Sequence, residues 1–183
     1  MQSIELLSPA KNLECGIAAI DHGADAVYIG AKRFGARAAA GNTTEDIQAL
    51  CNYAHRYGAK VYVAVNTLLR EEEKEPARQL IWDLHHAGAD AIIIQDTTFL
   101  QMGLPPIPLH ASTQMDNRTA EKVSWLKEQG VKQIVLAREL SLEEIRTIHQ
   151  VAPSVSLEAF VHGALCVSYS GRCYASEYCF GRS

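Results

Sequence analysis

One unit recurs along the chain: a helical stretch with a polar face ends on a glycine, two residues follow, and a short apolar run begins. It reads Gly23-Ala-Asp-Ala-Val-Tyr-Ile-Gly30, Gly58-Ala-Lys-Val-Tyr-Val-Ala-Val65, Gly88-Ala-Asp-Ala-Ile-Ile-Ile94 and Gly130-Val-Lys-Gln-Ile-Val-Leu136. Glycine just past a helix stops it by taking the left-handed conformation that a side chain resists. The apolar runs do not alternate with polar residues, which predicts strands covered on both faces and therefore parallel pairing. Further strands are predicted at 4–7, 107–111 and 156–161, giving seven in all. Thr43-Thr44-Glu-Asp opens one of the intervening helices, and Ser141-Leu-Glu-Glu144 has capping-box spacing before another. Pro105, Pro106 and Pro108 exclude a long helix before the fifth strand.

Seven strands with helical crossovers predict an α/β fold, a (β/α) TIM-like barrel truncated after its seventh strand, since a full barrel takes about 250 residues and this chain has 183. An open doubly wound sheet is the alternative. Residues 1–183 read as a single barrel domain, the N-terminal part of a longer protein, with a cysteine-containing loop segment at 162–183.

In a barrel the C-terminal strand ends share one mouth. Those ends carry Ser8, Tyr28, Asn66, Gln95 with Asp96, His110 to Gln114, Arg138 with Glu139, and His162. Asn66, His110, Gln114 and Arg138 are thereby candidates for binding a substrate, Arg138 through bidentate contact with a carboxylate or phosphate. Strand alternation predicts that Arg138 and Glu139 point to opposite sides. Glu158 and His162, four apart on the predicted seventh strand, would share a side and could move a proton; a structural glutamate is the plainer reading.

The densest chemistry is the run Glu158-Ala-Phe-Val-His-Gly-Ala-Leu-Cys166-Val-Ser-Tyr-Ser-Gly171-Arg-Cys173. Cys166, Cys173 and Cys179 are separated by six and then five residues, which fits no common zinc-finger or ferredoxin spacing. Cys166 and Cys173 sit among Gly163, Ser168, Ser170 and Gly171 with little apolar filling, so they read as functional thiols, while Cys179 is left unassigned. Cys15 and Cys51 fall in predicted helices and are expected to be buried. The total of five cysteines is odd, and with no export signal reduced thiols in a cytoplasmic protein are expected.

Composition narrows the field. A net charge of -4 gives no basic footprint for nucleic acid or an anionic membrane, and no apolar stretch is long enough to span a bilayer. His-Glu-x-x-His, Gly-x-Ser-x-Gly and nucleotide-binding glycine loops are absent. His22, His55, His85, His86 and His149 lie on predicted helices and read as surface or capping residues. The segment 30–41 reads as a mobile loop whose Lys32, Arg33 and Arg37 could bring positive charge to an anionic substrate.

The run from Glu158 to Cys173 resembles the signature of the collagenase-like peptidases of family U-32. Glu5-Leu-Leu-Ser-Pro-Ala10, Leu109-His-Ala-Ser-Thr-Gln114 and Leu136-Ala-Arg-Glu-Leu140 are similar to other strand-end motifs of that family. Phe34-Gly-Ala-Arg37 and Tyr178-Cys-Phe-Gly-Arg-Ser183 are most like the branch that hydroxylates a cytidine of large-subunit (23S) ribosomal RNA. The resemblance implies prephenate-dependent RNA hydroxylation and an oxygen-sensitive 4Fe-4S iron-sulfur cluster held by four cysteines in the full-length protein. Cys166 and Cys173 match the first two; the others would lie beyond Ser183, so the cluster is expected to be absent from this chain, which is expected to be inactive alone. Ribosomal RNA and a small anionic donor such as prephenate are the implied partners, without a membrane, and an exposed barrel seam could make the chain a homodimer. Two alternatives stand beside this: a peptidase with Cys166 as nucleophile and His162 as its base, and a non-catalytic scaffold or ligand-binding domain.

Overall fold

The computed structural model describes residues 4–35, 41–163, 166, 168–174 and 178–179. Seven strands run in the order β1-β2-β3-β4-β5-β6-β7: β1 Leu7–Ala10, β2 Ala26–Gly30, β3 Lys60–Val65, β4 Ala91–Ile94, β5 Leu109–Ala111, β6 Gln133–Val135 and β7 Ser156–Glu158. Between them lie α1 Leu13–Asp21, α2 Thr44–Ala54, α3 Lys74–His86, α4 Ala120–Glu128 and α5 Leu142–Val151. The proline-rich connection before β5 holds only a short 3-10 turn, Thr97–Gln101. Every pair with a resolved register is parallel. The α/β, TIM-like order expected from the repeated unit is thus present, and Gly23, Gly58, Gly88 and Gly130 all have positive φ where they end their helices. The expected capping box of Ser141 with Glu144 forms, and the helix start at Thr43 proves to be a second one, with Asp46. Among the described residues no helix is long and apolar enough to cross a membrane.

The chain gathers into two compact units, residues 1–93 with 97–108 and residues 94–96 with 109–183. In the first, register places Val27 beside Val61 and Ile29 beside Val63, and all four are fully buried. Ile47 and Leu50 of α2 and Ile81 and Leu84 of α3 are fully buried in the same unit. Each such aliphatic side chain contributes about 1.5–3 kcal/mol by leaving water. The other face of these strands carries Ala26, Tyr62, Ala91 and Ile93, with Leu7 and Tyr28 packed against them. Gly16 lets α1 approach α2 closely, since a Cβ there would lie 2.6 Å from a Leu50 methyl.

In the second unit, Val123 and Leu126 of α4 and Ile134 of β6 are fully buried, and α4 packs against α5. Asn117, fully buried, takes over where the strands stop: its Nδ2 donates to the carbonyls of Ser112 and Val135, both at 2.8 Å, and its backbone carbonyl accepts from Ala137 N–H at 3.1 Å. One side chain therefore ties the C-terminal ends of β5 and β6.

Three expected strands change their limits. The first begins at Leu7, not residue 4: the Asp25 carboxylate accepts the Leu6 N–H at 2.7 Å before the ladder with β2 starts, and Ile4 is 93% exposed. The fifth begins after Pro108, which has no N–H to give a ladder, although its carbonyl accepts from Ile92 at 3.0 Å. The seventh ends at Glu158, not residue 161, because its partner β6 ends at Val135 and the following backbone turns to Asn117.

Candidate functional site

The second unit brings three loops together at the ends of β5, β6 and β7. Residues 169–172 form a tight turn in which the Tyr169 carbonyl accepts the Arg172 N–H at 3.0 Å. Gly171 makes the turn possible with φ +76°, and a Cβ there would sit 2.5 Å from the Gln114 carbonyl oxygen, so the turn is pressed onto the loop after β5. Ser170 is the anchor, 1% exposed. Its N–H donates to Glu139 Oε1 at 2.6 Å and its hydroxyl to Glu139 Oε2 at 3.0 Å. Burial pushes the Glu139 carboxyl pKa up, but the bonds from Ser170 and the Arg118 charge outweigh it, and the net shift is downward. Arg118 is itself fixed on Asp116 at 2.5 Å and lies 4.0 Å from Glu139.

The thiols hang on this anchored turn. Cys166 is exposed, and Cys173 is half-buried with the Ser168 hydroxyl 3.7 Å from its sulfur. Arg138 serves both the backbone and the thiol: Nη2 donates to the Ser168 carbonyl at 3.0 Å, and a hydrogen bond from its side chain is the largest influence lowering the Cys166 pKa, followed by the Ser168 backbone. Proximity of Cys173 opposes that shift, which places the two sulfurs within electrostatic reach of each other. An exposed thiol beside a guanidinium is the setting that favours thiolate, the metal-ligating and nucleophilic form. Arg138 Nε is buried without a hydrogen-bond partner among the described residues.

The expectation that Arg138 and Glu139 diverge is corrected. β6 stops at Val135, so alternation no longer governs residues 138 and 139, and both side chains close on the cysteine segment. Glu158 and His162 do not share a strand either: Glu158 Oε2 accepts from Gln133 Nε2 at 2.8 Å, whereas His162 is exposed beyond the end of β7. His110 is buried in β5, and Gln114 supplies the backbone on which Gly171 rests. Asn66 follows β3 in the first unit, half-buried. Lys32 and Arg33 are exposed, while Arg37 lies outside the described residues. Cys15 is exposed rather than buried, since α1 turns Gly16 and Ile20 inward and Cys15 away; Cys51 is buried as expected.

Sequence reading singled out both thiols and Arg138 but gave no role to Ser170, Asn117 or Arg118. Each acts through partners distant in the chain, and a polar residue in a loop carries no periodicity to betray that. A second Cys/His/Asp grouping, Cys51, His55 and Asp90, was also missed as a group. His55 Nε2 lies 3.0 Å from Asp90 Oδ2, one helical turn from Cys51. Burial, followed by the Asp90 charge, pushes the Cys51 thiol up to about 12, so this grouping holds a neutral thiol and no nucleophile.

Residues 11–183 match the model of a family described as Peptidase family U32. The chain belongs to that family. Among U32 relatives, it is 56% identical over 180 residues to the 23S rRNA 5-hydroxycytidine C2501 synthase of Escherichia coli (strain K12), covering 98% of this chain and 27% of that protein. It is 37% identical to the tRNA hydroxylation protein P1 of Bacillus subtilis (strain 168), covering 97% of this chain and 43% of the relative. A protein of Porphyromonas gingivalis (strain ATCC BAA-308 / W83) named collagenase is 33% identical, with 96% and 45% covered. The chain thus spans between a quarter and a half of these relatives' lengths. The solved structure of a U32 peptidase superposes with a TM-score of 0.70 at 15% identity, covering 87% of this chain and 69% of that one, and shares the fold.

Proposed function

We propose that this U32 chain is the thiol-bearing part of an RNA-hydroxylating enzyme whose target is a cytidine of large-subunit ribosomal RNA. The observation that carries this is the 56% identity across 98% of the chain to a protein named as a ribosomal 5-hydroxycytidine synthase. The tRNA hydroxylation relatives support RNA hydroxylation as the reaction class.

An iron-sulfur cluster fits the residues at hand as half of a site. Cys166 and Cys173 offer two sulfurs within electrostatic reach, one biased toward thiolate by Arg138, and thiolates suit such clusters. Among the described residues no group of three or more His, Cys, Asp or Glu is arranged for a metal, so two further thiolates would come from elsewhere in a longer polypeptide. A cluster held there supplies one-electron transfer. The chain's own residues set the geometry: Ser170 and Glu139 hold the turn, Arg138 holds the Cys166 thiolate, and Ser168 hydrogen-bonds Cys173. Arg138, whose guanidinium can pair with a carboxylate, is the cation this reading assigns to a small anionic donor such as prephenate.

A peptidase reading, suggested by the relative named collagenase, needs a base to take the Cys166 proton. The Arg138 guanidinium offers donors and no acceptor, and His162 stands off the strand. In the full-length protein purified without oxygen, iron and sulfide are expected, and both should be lost in Cys166→Ala and Cys173→Ala; their absence from the parent would remove the cluster. Mass spectrometry of ribosomal RNA from cells lacking the gene should show one cytidine lighter by one oxygen. Unchanged RNA would sink the hydroxylase reading.

A further inference from the structure

We infer that Tyr169, backed by Arg118, is a stacking platform for an unpaired nucleobase, which deepens the RNA reading above and rests on it. Tyr169 is 64% exposed, yet its backbone is tied down. Its carbonyl is bonded to Arg172, and its neighbour Ser170 is buried and bonded to Glu139. A single exposed tyrosine is ordinary on a protein surface. Here one face of the ring is already engaged: the Arg118 guanidinium carbon lies 5.4 Å from the ring centroid, and Arg118 is fixed by Asp116 at 2.5 Å. A ring backed by a fixed cation and held on a clamped turn loses little freedom when a flat ligand covers its open face.

Nucleobases are such ligands. Single-stranded RNA is bound by stacking its unpaired bases on aromatic side chains, and stacking is sequence-tolerant because every base has a π-face. It also needs no extended basic surface, which this chain with net charge -4 does not provide. Tyr169 is three positions after Cys166, so their Cα atoms lie within about 11 Å. A base on the platform is therefore held beside the thiol pair.

The test is fluorescence anisotropy of the protein with a labelled, cytidine-containing single-stranded RNA decamer. Tyr169→Ala should weaken binding by about fivefold or more. Tyr169→Phe, which keeps the ring, should stay within about twofold of the parent, as should Tyr57→Ala, an exposed tyrosine of the first unit. Thermal melts of the variants should match the parent. No binding by the parent, an unchanged affinity for Tyr169→Ala, or an equal loss in Tyr169→Phe would each overturn the platform. So would a glycine-proline peptide that binds through Tyr169 where the RNA does not. The two readings separate cleanly: Tyr169-dependent binding with unchanged ribosomal RNA in the gene deletion removes the hydroxylase alone, and hydroxylation without Tyr169-dependent binding removes the platform alone.

Discussion

Cys51 and Cys166 are the same side chain placed in opposite surroundings. Cys51 lies 1% exposed in the first unit beside Asp90, with His55 one helical turn away. Cys166 lies exposed in the second beside Arg138. The first has the residue types of a catalytic triad and a thiol held protonated by its surroundings; the second has no such set and a thiol shifted toward ionisation. The sign of the neighbouring charge and the access of water decide the chemistry, not which residue types are gathered.

Labelling with iodoacetamide near neutral pH tests the contrast directly. A thiol at about 12 holds at least 1,000-fold less thiolate than one below its ordinary value of 9.0, and greater intrinsic nucleophilicity recovers only part of that, roughly half on a logarithmic scale. Burial adds to the difference, so Cys166 should react more than about 100-fold faster than Cys51. Comparable rates in the folded protein would erase the distinction. A smaller effect sharpens its cause: Arg138→Ala should slow Cys166 by about threefold or more and move its pH-rate profile upward, leaving Cys51 unchanged. If Cys166 kept its rate, solvent exposure alone would explain it.

The smallest effect concerns what holds the thiol segment in place. The Glu139 pKa is depressed on folding, so its carboxylate adds stability above the unfolded value, ordinarily 4.5, and that contribution is lost as pH falls through the folded value. The protection factor of the Ser170 amide, its exchange rate relative to the unfolded chain at the same pH, should accordingly fall in acid. In Glu139→Gln exchange should be about fivefold faster than in the parent at neutral pH, the loss of about 1 kcal/mol, with little further acid response. Equal protection in both proteins would mean that the turn is held by Gly171 packing and not by the carboxylate.

The helix-to-strand order was legible because it is local: a glycine, two residues and an apolar run recur, and Gly23, Gly58, Gly88 and Gly130 adopt the positive φ their positions require. Strand limits were less so, since Leu7 and Glu158 are set by where a neighbour's backbone is available to pair. The thiols of Cys166 and Cys173 stood out by residue type. The clasp around them did not: Glu139 meets Ser170 across 31 positions, and Thr113 lies 3.4 Å from Ser170 across 57. Arg138 and Glu139 lie beyond the strand whose alternation would separate them, and folding places both on one segment.

Gly171 has a mechanical consequence. With no room for a methyl group between its backbone and the Gln114 carbonyl, the turn cannot settle further toward the sheet. A load on the Tyr169 ring is therefore passed to the extension of β5 and, through Asn117, to the end of β6. The cysteine segment is gauged against the sheet, and a shift of the β5 loop moves the thiols with it.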